Sequence, residues 1–408
     1  MGELDRGAGS IAGPVLQDVS ARQSGVGRPK RGALADKPGR RIRLAFASLL
    51  FKLVRARELK GNPFRAPGPK PRVLVVRQQN QMGDMLLATP CLRALRECLP
   101  GSWITLVASD ENEAVVRNNP HVNEVLVYSK KKFRANPLAL FGFLWALGNR
   151  RFDVAVMLST VSLSVTSALL CILSGAKFRV TYSGESFSMG FVDRAFHFAI
   201  LIDDAAVHQT RLGLGLLEYF KITTPDLSPI MVPSEDDDRF AREFVSGLRP
   251  AGGAPSALVA IHPGAGKKKN RWPASRFADL ARALSAKDGA KTLVIAGPSD
   301  SEVLEEMLAT LDPKPALLTG ETIGRVAAVM KRLDLLVCND TGVLHVAAAV
   351  GCPTLALFGP TDPERWAPLS KSVRTLRAPG QDLSRLDQTD VIAAAMEMLS
   401  SKGAARDD

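Results

Sequence analysis

From residue 71 onward, short apolar runs alternate with longer stretches in which apolar residues return every three or four positions. Arg72–Arg77 (RVLVVR) is apolar at its four central positions, as expected of a strand buried on both faces. Trp103–Ala108, Glu124–Tyr128 and Asp153–Leu158 repeat that signal, with helical patterns at Met85–Cys98 and Leu138–Leu147. Residues 223–256 then turn rich in Pro, Asp and Gly, and enclose one helical stretch at Asp236–Leu248. The alternation restarts with strands at Ala257–His262, Lys291–Ala296, Leu335–Asn339 and Pro353–Phe358. Helices are predicted at Pro273–Lys287, Ser301–Leu311, Ile323–Arg332, Leu344–Val350 and Asp390–Leu399. Such alternation predicts an α/β fold with parallel sheets covered on both faces. We read two Rossmann-like domains, 71–230 and 231–400, joined by a crossing near 225–235 and followed by a tail at 401–408. No internal repeat stands out in the sequence. Val154 to Ala176 is 23 residues without a charge, but it holds seven Ser/Thr. A strand, a polar loop and a buried helix explain it better than a membrane span.

The first 70 residues differ. Residues 1–40 lack hydrophobic periodicity and read as disordered. No apolar run follows the start, so no secretory signal is expected. In 41–57 (RIRLAFASLLFKLVRAR), Ile42, Phe46, Leu49, Leu50, Leu53 and Val54 share one arc at helical spacing, with Leu44 and Phe51 interrupting the polar side. A basic amphipathic helix of this kind either lies on an anionic membrane surface or packs on the protein itself.

Composition refines this picture. The 408-residue chain is 46% hydrophobic and carries a net charge of +12. Residues 1–70 supply +10 of that and the remaining chain +2. The body is therefore nearly neutral, which argues against a nucleic-acid partner. The five cysteines form no metal-type pair and suit reduced core thiols.

Three segments sit where strands end and helices begin, the ligand-binding edge of an open α/β sheet. In QQNQMGDMLLATP (78–90), Gly83 permits a tight turn and Asp84 stands at a helix mouth, either as a cap or as a general base. In HPGAGKKKNRWP (262–273), Gly264 and Gly266 allow close backbone approach, and Lys267, Lys268, Lys269 and Arg271 add positive charge suited to phosphate. The spacing is not that of a Walker loop. In CNDTGVLHVAAA (338–349), Asp340 and Thr341 cap a helix opened by Gly342, with His345 one turn in.

In order and content, MGDMLLATPCLRALR, HPGAGKKKNRWPASRFADLA, NDTGVLHVAAAVGCPTLALFGPTDP and RAPGQDLSRL resemble glycosyltransferase family 9, the ADP-heptose–lipopolysaccharide heptosyltransferases. The resemblance spans roughly residues 72–390. It implies a GT-B fold, two Rossmann-like domains facing a central cleft, here with a basic N-terminal extension. It also implies transfer of a heptose or related sugar from a nucleotide-sugar, with ADP-heptose as donor; attack opposite the nucleotide would make the transfer inverting, and the carboxylate clusters give no reason to expect a metal or other cofactor. The acceptor would be a lipid-linked glycan, and the enzyme would sit peripherally on the cytoplasmic face of the inner membrane. The resemblance assigns the base to Asp84 and donor contacts to Asp340, Thr341 and Gly342; the loops themselves add Gly264, Gly266, Lys269, Arg271 and His345 on the donor side and Gln81 and Gly83 on the acceptor side. The family's phosphate-contacting lysine falls on Asn270, so Lys269 or Arg271 would take over. Glu235–Asp238 and Asp203-Asp204 are expected to be helix-start or solvated charges rather than metal ligands. A nucleotide-sugar epimerase, or a non-catalytic binding protein of the same fold, are the competing readings.

Overall fold

The computed structural model describes residues 47–404, apart from 50, 53, 58, 60, 66, 67, 69, 80, 202–206, 249–255 and 289. The disorder expected for 1–40, the Asp203-Asp204 pair and four residues of the 41–57 arc (Ile42, Phe46, Leu50, Leu53) lie outside the described residues.

The first sheet comprises β1 (Arg72–Val76), β2 (Trp103–Ser109), β3 (Glu124–Tyr128), β4 (Val154–Met157), β5 (Phe178–Tyr182) and β6 (Phe198–Ile200). Its strands are all parallel, in the order β3-β2-β1-β4-β5-β6. The second comprises β7 (Leu258–His262), β8 (Lys291–Ala296), β9 (Ala316–Thr319), β10 (Leu335–Asn339), β11 (Thr354–Phe358) and β12 (Val373–Arg377). Its order, β12-β11-β10-β7-β8-β9, is the same winding repeated. Each sheet thus has a switch point, between β1 and β4 and between β7 and β10, where adjacent connections leave in opposite directions and open a crevice.

The helices follow in chain order: α1 (Met82–Leu87), α2 (Thr89–Cys98), α3 (Glu113–Val116), α4 (Lys130–Ala135), α5 (Pro137–Gly148), α6 (Val165–Leu173) and α7 (Gln209–Glu218). Beyond the crossing come α8 (Glu235–Leu248), α9 (Ala274–Asp288), α10 (Ser301–Leu308), α11 (Ile323–Met330), α12 (Gly342–Ala349), α13 (Pro363–Trp366) and α14 (Gln388–Ala404). The single helix expected over Met85–Cys98 is two. Pro90 stands at the start of α2 and has no N–H to donate, so the ladder restarts at Ala88. The uncharged stretch 154–176 is β4, a loop and α6, as its composition implied. Among the described residues no helix is long and apolar enough to cross a membrane.

The central strands are fully buried, and their Val and Leu side chains divide between two faces. One continuous apolar cluster runs from β1 and α2 of the first lobe to α11, α12 and β10 of the second. Separate clusters fill the far face of each sheet. The lobes therefore meet over apolar surface as well as through the chain crossing. Polar ties add register: Ile230 N donates to Thr89 Oγ1 (3.0 Å) and Met231 N to Ala349 O (3.0 Å).

The described part of 41–57 packs on the body, the second of the two outcomes its pattern allows. Ala47 and Phe51 are buried, and Phe51 meets Phe191 edge-on at 5.7 Å. Leu49, a member of the expected arc, is 61% exposed. Phe51, which interrupts the polar side in the sequence, is the buried anchor, and Val54, another member of the arc, packs against the same cluster.

Candidate active site

Asp84 sits in the first turn of α1, directly beyond β1 at the first sheet's switch point. Gln81 is the N-cap and makes no side-chain cap bond, so the carboxylate of Asp84 is the acidic group of that helix start. Beneath it lies Arg77, almost fully buried at the end of β1. Arg77 Nε donates to the backbone oxygen of Asp84 (3.1 Å) and Nη1 to Leu158 O (2.7 Å), so one guanidinium ties α1 to the end of β4. Burial pushes the Asp84 carboxyl above its ordinary pKa, and the Arg77 charge pulls it part of the way back. Around Asp84, a small cavity of about 10 Å³ is lined by Arg77, Leu158, Thr160, Gln209 and Gly213. That is room for about one water-sized group.

In the second lobe, the 262–273 loop leaves β7 and the 340–342 turn leaves β10, the two strands that flank the other switch point. Asn339 binds them together. Its Nδ2 donates to Pro263 O (2.9 Å) and Gly264 O (3.2 Å), and its Oδ1 accepts from Trp272 N (2.9 Å). Gly264 is packed so closely on Asp300 that an added Cβ would lie 2.1 Å from the carboxylate. Gly266, Lys267, Lys268 and Lys269 are exposed. Arg271 is turned inward: Nε donates to Ala265 O (2.9 Å), and Nη1 lies 3.7 Å from Glu302, which also pairs with Lys268 (2.9 Å). Arg271, Trp272, Glu302 and Glu306 line a groove of about 170 Å³. Thr341 caps α12 by accepting from Val343 N (3.1 Å). Burial raises the Asp340 pKa, against a hydrogen bond from Thr361 and the nearby Lys267 charge. Asn270 reaches the same Thr361 (Nδ2 to Oγ1, 3.4 Å), which places it beside Asp340.

The two lobes touch at these loops. A Cβ on Gly83 would lie 2.6 Å from the His345 ring, and one on Gly342 would lie 2.9 Å from Met82. The Asp84 helix and the helix of the DTG turn are thus in van der Waals contact across the crevice. His345 is buried at this seam, and burial, with the neighbouring His208, lowers its pKa to about 4. It is therefore neutral, and its Nδ1 has no hydrogen-bond partner among the described residues. His208 spans the same gap. Its Nδ1 accepts from Thr210 N (3.1 Å), so Nε2 carries the proton donated to Ala367 O (2.7 Å). With its amide nitrogen on Thr160 Oγ1, Gln209 receives Arg365 Nε (3.0 Å) on its oxygen.

A sequence model of glycosyltransferase family 9 (heptosyltransferase) matches residues 141–395. The chain belongs to this family. Lipopolysaccharide heptosyltransferase 3 of Escherichia coli is 25% identical over 343 residues, 78% of this chain and 97% of the relative. Lipopolysaccharide heptosyltransferase 1 of E. coli K12 is 26% identical over 340 residues, 81% of this chain and 99% of that one. A solved family 9 glycosyltransferase from Veillonella parvula superposes with a TM-score of 0.72 at 26% identity, covering 81% of this chain and 97% of that one. The structure of E. coli ADP-heptose LPS heptosyltransferase II gives 0.67 at 22% identity, with 81% and 99% covered. The architecture is accordingly GT-B, and the protein is a glycosyltransferase.

Glu235–Asp238 behaves as a helix start. Asp237 accepts from Ser234 Oγ (2.6 Å), Asp238 pairs with Arg332 (2.8 Å) and Asp236 with Arg239 (2.8 Å). Among the described residues no cluster of three His, Cys, Asp or Glu is arranged to hold a metal. Arg77, His208, Thr361 and Glu302 were not singled out from the sequence. For Arg77 the signal was there: a basic residue closing an otherwise apolar central strand must find carbonyls to serve. The others depend on tertiary contacts, Thr361 with Asn270 and Asp340, His208 with Ala367 across the crevice, and Glu302 with Lys268 and Arg271, which no local pattern encodes.

Proposed function

We propose that this glycosyltransferase moves a heptose from ADP-heptose to a lipopolysaccharide-core or other lipid-linked acceptor, with inversion at the anomeric carbon. The observation that carries this reading is the packing of α1, which bears Asp84, on α12, which the DTG turn opens. Asp84 takes the proton of the acceptor hydroxyl as that oxygen bonds to the anomeric carbon. The bond from that carbon to the diphosphate breaks, and its electron pair leaves on the phosphate oxygen. The amides opening α12, the Gly264–Gly266 backbone and the Lys267–Arg271 cations would receive that charge. Asp340 and Thr341 are the proposed side-chain contacts to the donor. The groove beside Arg271 and Glu302 is the proposed nucleoside site, and Gln81 and Gly83 are the proposed acceptor rim. Family membership and the names of the relatives support the sugar and acceptor classes.

Incubation with ADP-heptose and a heptose-deficient core acceptor should yield an adduct heavier by one heptose. Isomerised donor formed without acceptor would instead indicate an epimerase. In a thermal-shift panel, ADP-heptose should raise the melting point more than UDP- or GDP-sugars.

Two further outcomes follow from the charges. The base must be ionised, so kcat/KM should fall as pH drops through the Asp84 pKa. Burial places that limb above the ordinary carboxylate value, and Arg77→Met should move it higher still, whereas Arg77→Lys should not. A limb that stays put in Arg77→Met would remove Arg77 from this role. Because protein cations serve the leaving group, turnover should persist in excess chelator, and complete loss there would overturn the metal-independent reading.

A further inference from the structure

We propose that α5, with the cations of α4, is the surface by which the first lobe lies on an anionic lipid bilayer. The twelve residues of α5, PLALFGFLWALG, include no charged side chain. One side is core: Leu147 is fully buried, and Phe143 and Leu144 pack on the same cluster that takes Phe51. The other side is not covered. Leu138 is 79% exposed, Phe141 69% and Trp145 65%. Their spacing of three and four residues places them in one stripe along the helix. A helix that is apolar all round is a helix buried in something, and here half of that environment is missing from the protein.

Charge says what supplies the other half. Immediately before α5, the exposed Lys130, Lys131, Lys132 and Arg134 form α4, and Phe133 locks α4 to α5 through ring contacts with Tyr128 (5.2 Å) and Phe143 (5.4 Å). Asn136 caps α5 by accepting from Leu138 N (3.0 Å) and Ala139 N (3.3 Å), so the turn between the helices is fixed. A rigid apolar stripe flanked by four cations fits the headgroup region of an anionic leaflet, with the Trp145 indole at the interface. A second copy of this chain would bring the same four cations to its own seam, at a like-charge cost. α4 follows β3 at the edge of the first sheet where Asp84 follows β1, so docking here would hold the base near the lipid surface. This last point rests on the proposed lipid-linked acceptor. The docking surface itself does not.

The test uses the full-length protein and co-sedimentation with phosphatidylethanolamine vesicles, with and without phosphatidylglycerol. Wild type should partition onto the anionic vesicles, and less so as salt rises. The exposed-residue variant Leu138→Ser/Phe141→Ser/Trp145→Ser should bind about thirtyfold more weakly. Lys130→Glu/Lys131→Glu/Lys132→Glu should lose the salt-dependent part. Unchanged circular dichroism would show that both variants fold. Transfer to a lipid-free core oligosaccharide should be equal in wild type and both variants. Vesicle binding that survives the apolar triple substitution overturns the proposal. So does a concentration-dependent dimer that the same substitution abolishes while lipid binding stays intact. If wild type binds vesicles as described but transfers to no glycan, the docking surface stands and the acceptor reading fails.

Discussion

Asp84→Asn should slow sugar transfer by about a hundred- to ten-thousandfold while leaving nucleotide-sugar affinity close to that of wild type. The amide matches the carboxylate in shape but cannot take the acceptor proton. The substitution is clean for a structural reason. Arg77 holds α1 through the backbone oxygen of Asp84, not through the carboxylate, so the helix keeps its anchor when the side chain changes. The donor loops lie in the other lobe, stapled by Asn339, and do not depend on Asp84. Single-turnover transfer and equilibrium binding of ADP-heptose, measured side by side, separate the two effects. Transfer at near wild-type rate would remove Asp84 from the base role. Loss of binding and transfer together would mean that the residue is structural.

The central strands and the loops behind them were legible because burial on both faces writes a continuous apolar run, as in RVLVV of β1 and LLVCN of β10. Four strands carry no such signal in the sequence: β5 (FRVTY) is internal but interrupted by Arg179, and the other three are marginal or short. β12 (VRTLR) and β9 (ALLT) are edge strands with no fully buried run, and β6 is three residues long. An edge strand is defined by its neighbour more than by its own side chains, and its sequence looks like a loop. The restarted alternation makes the doubling of the α/β unit legible, but not the order of the strands within each sheet. Strand order depends on which strands pair, and the two halves achieve the same order with different residues. The 41–57 pattern leaves membrane and body as alternatives, and its described residues pack on the body through Phe51 and Val54. In the site, the glycines and charged residues were legible as loop chemistry. What the sequence could not convey is that two of those glycines exist for the opposite lobe.

Gly83→Ala should uncouple the two halves of the site. The new methyl would lie 2.6 Å from Cδ2 and 3.0 Å from Nε2 of His345, closer than atoms pack, and the His345 ring is buried with little room to retreat. Either the ring moves or α1 lifts from α12, and Asp84 rides on α1. A displacement near 1 Å at the reacting centre is worth about a hundredfold in rate, so transfer should fall by roughly that factor. Donor binding should fall less, because the hydrogen bonds of Asn339 and Asn270 that fix the 262–273 loop lie within the second lobe. His345→Ala removes the obstacle. The double variant Gly83→Ala/His345→Ala should therefore transfer faster than Gly83→Ala alone, whatever His345→Ala costs by itself, and the non-additivity of the cycle measures the contact. If the two substitutions simply add, α1 and α12 do not meet through these residues during turnover, and the packing of α1 on α12 is not the geometry in which the sugar moves.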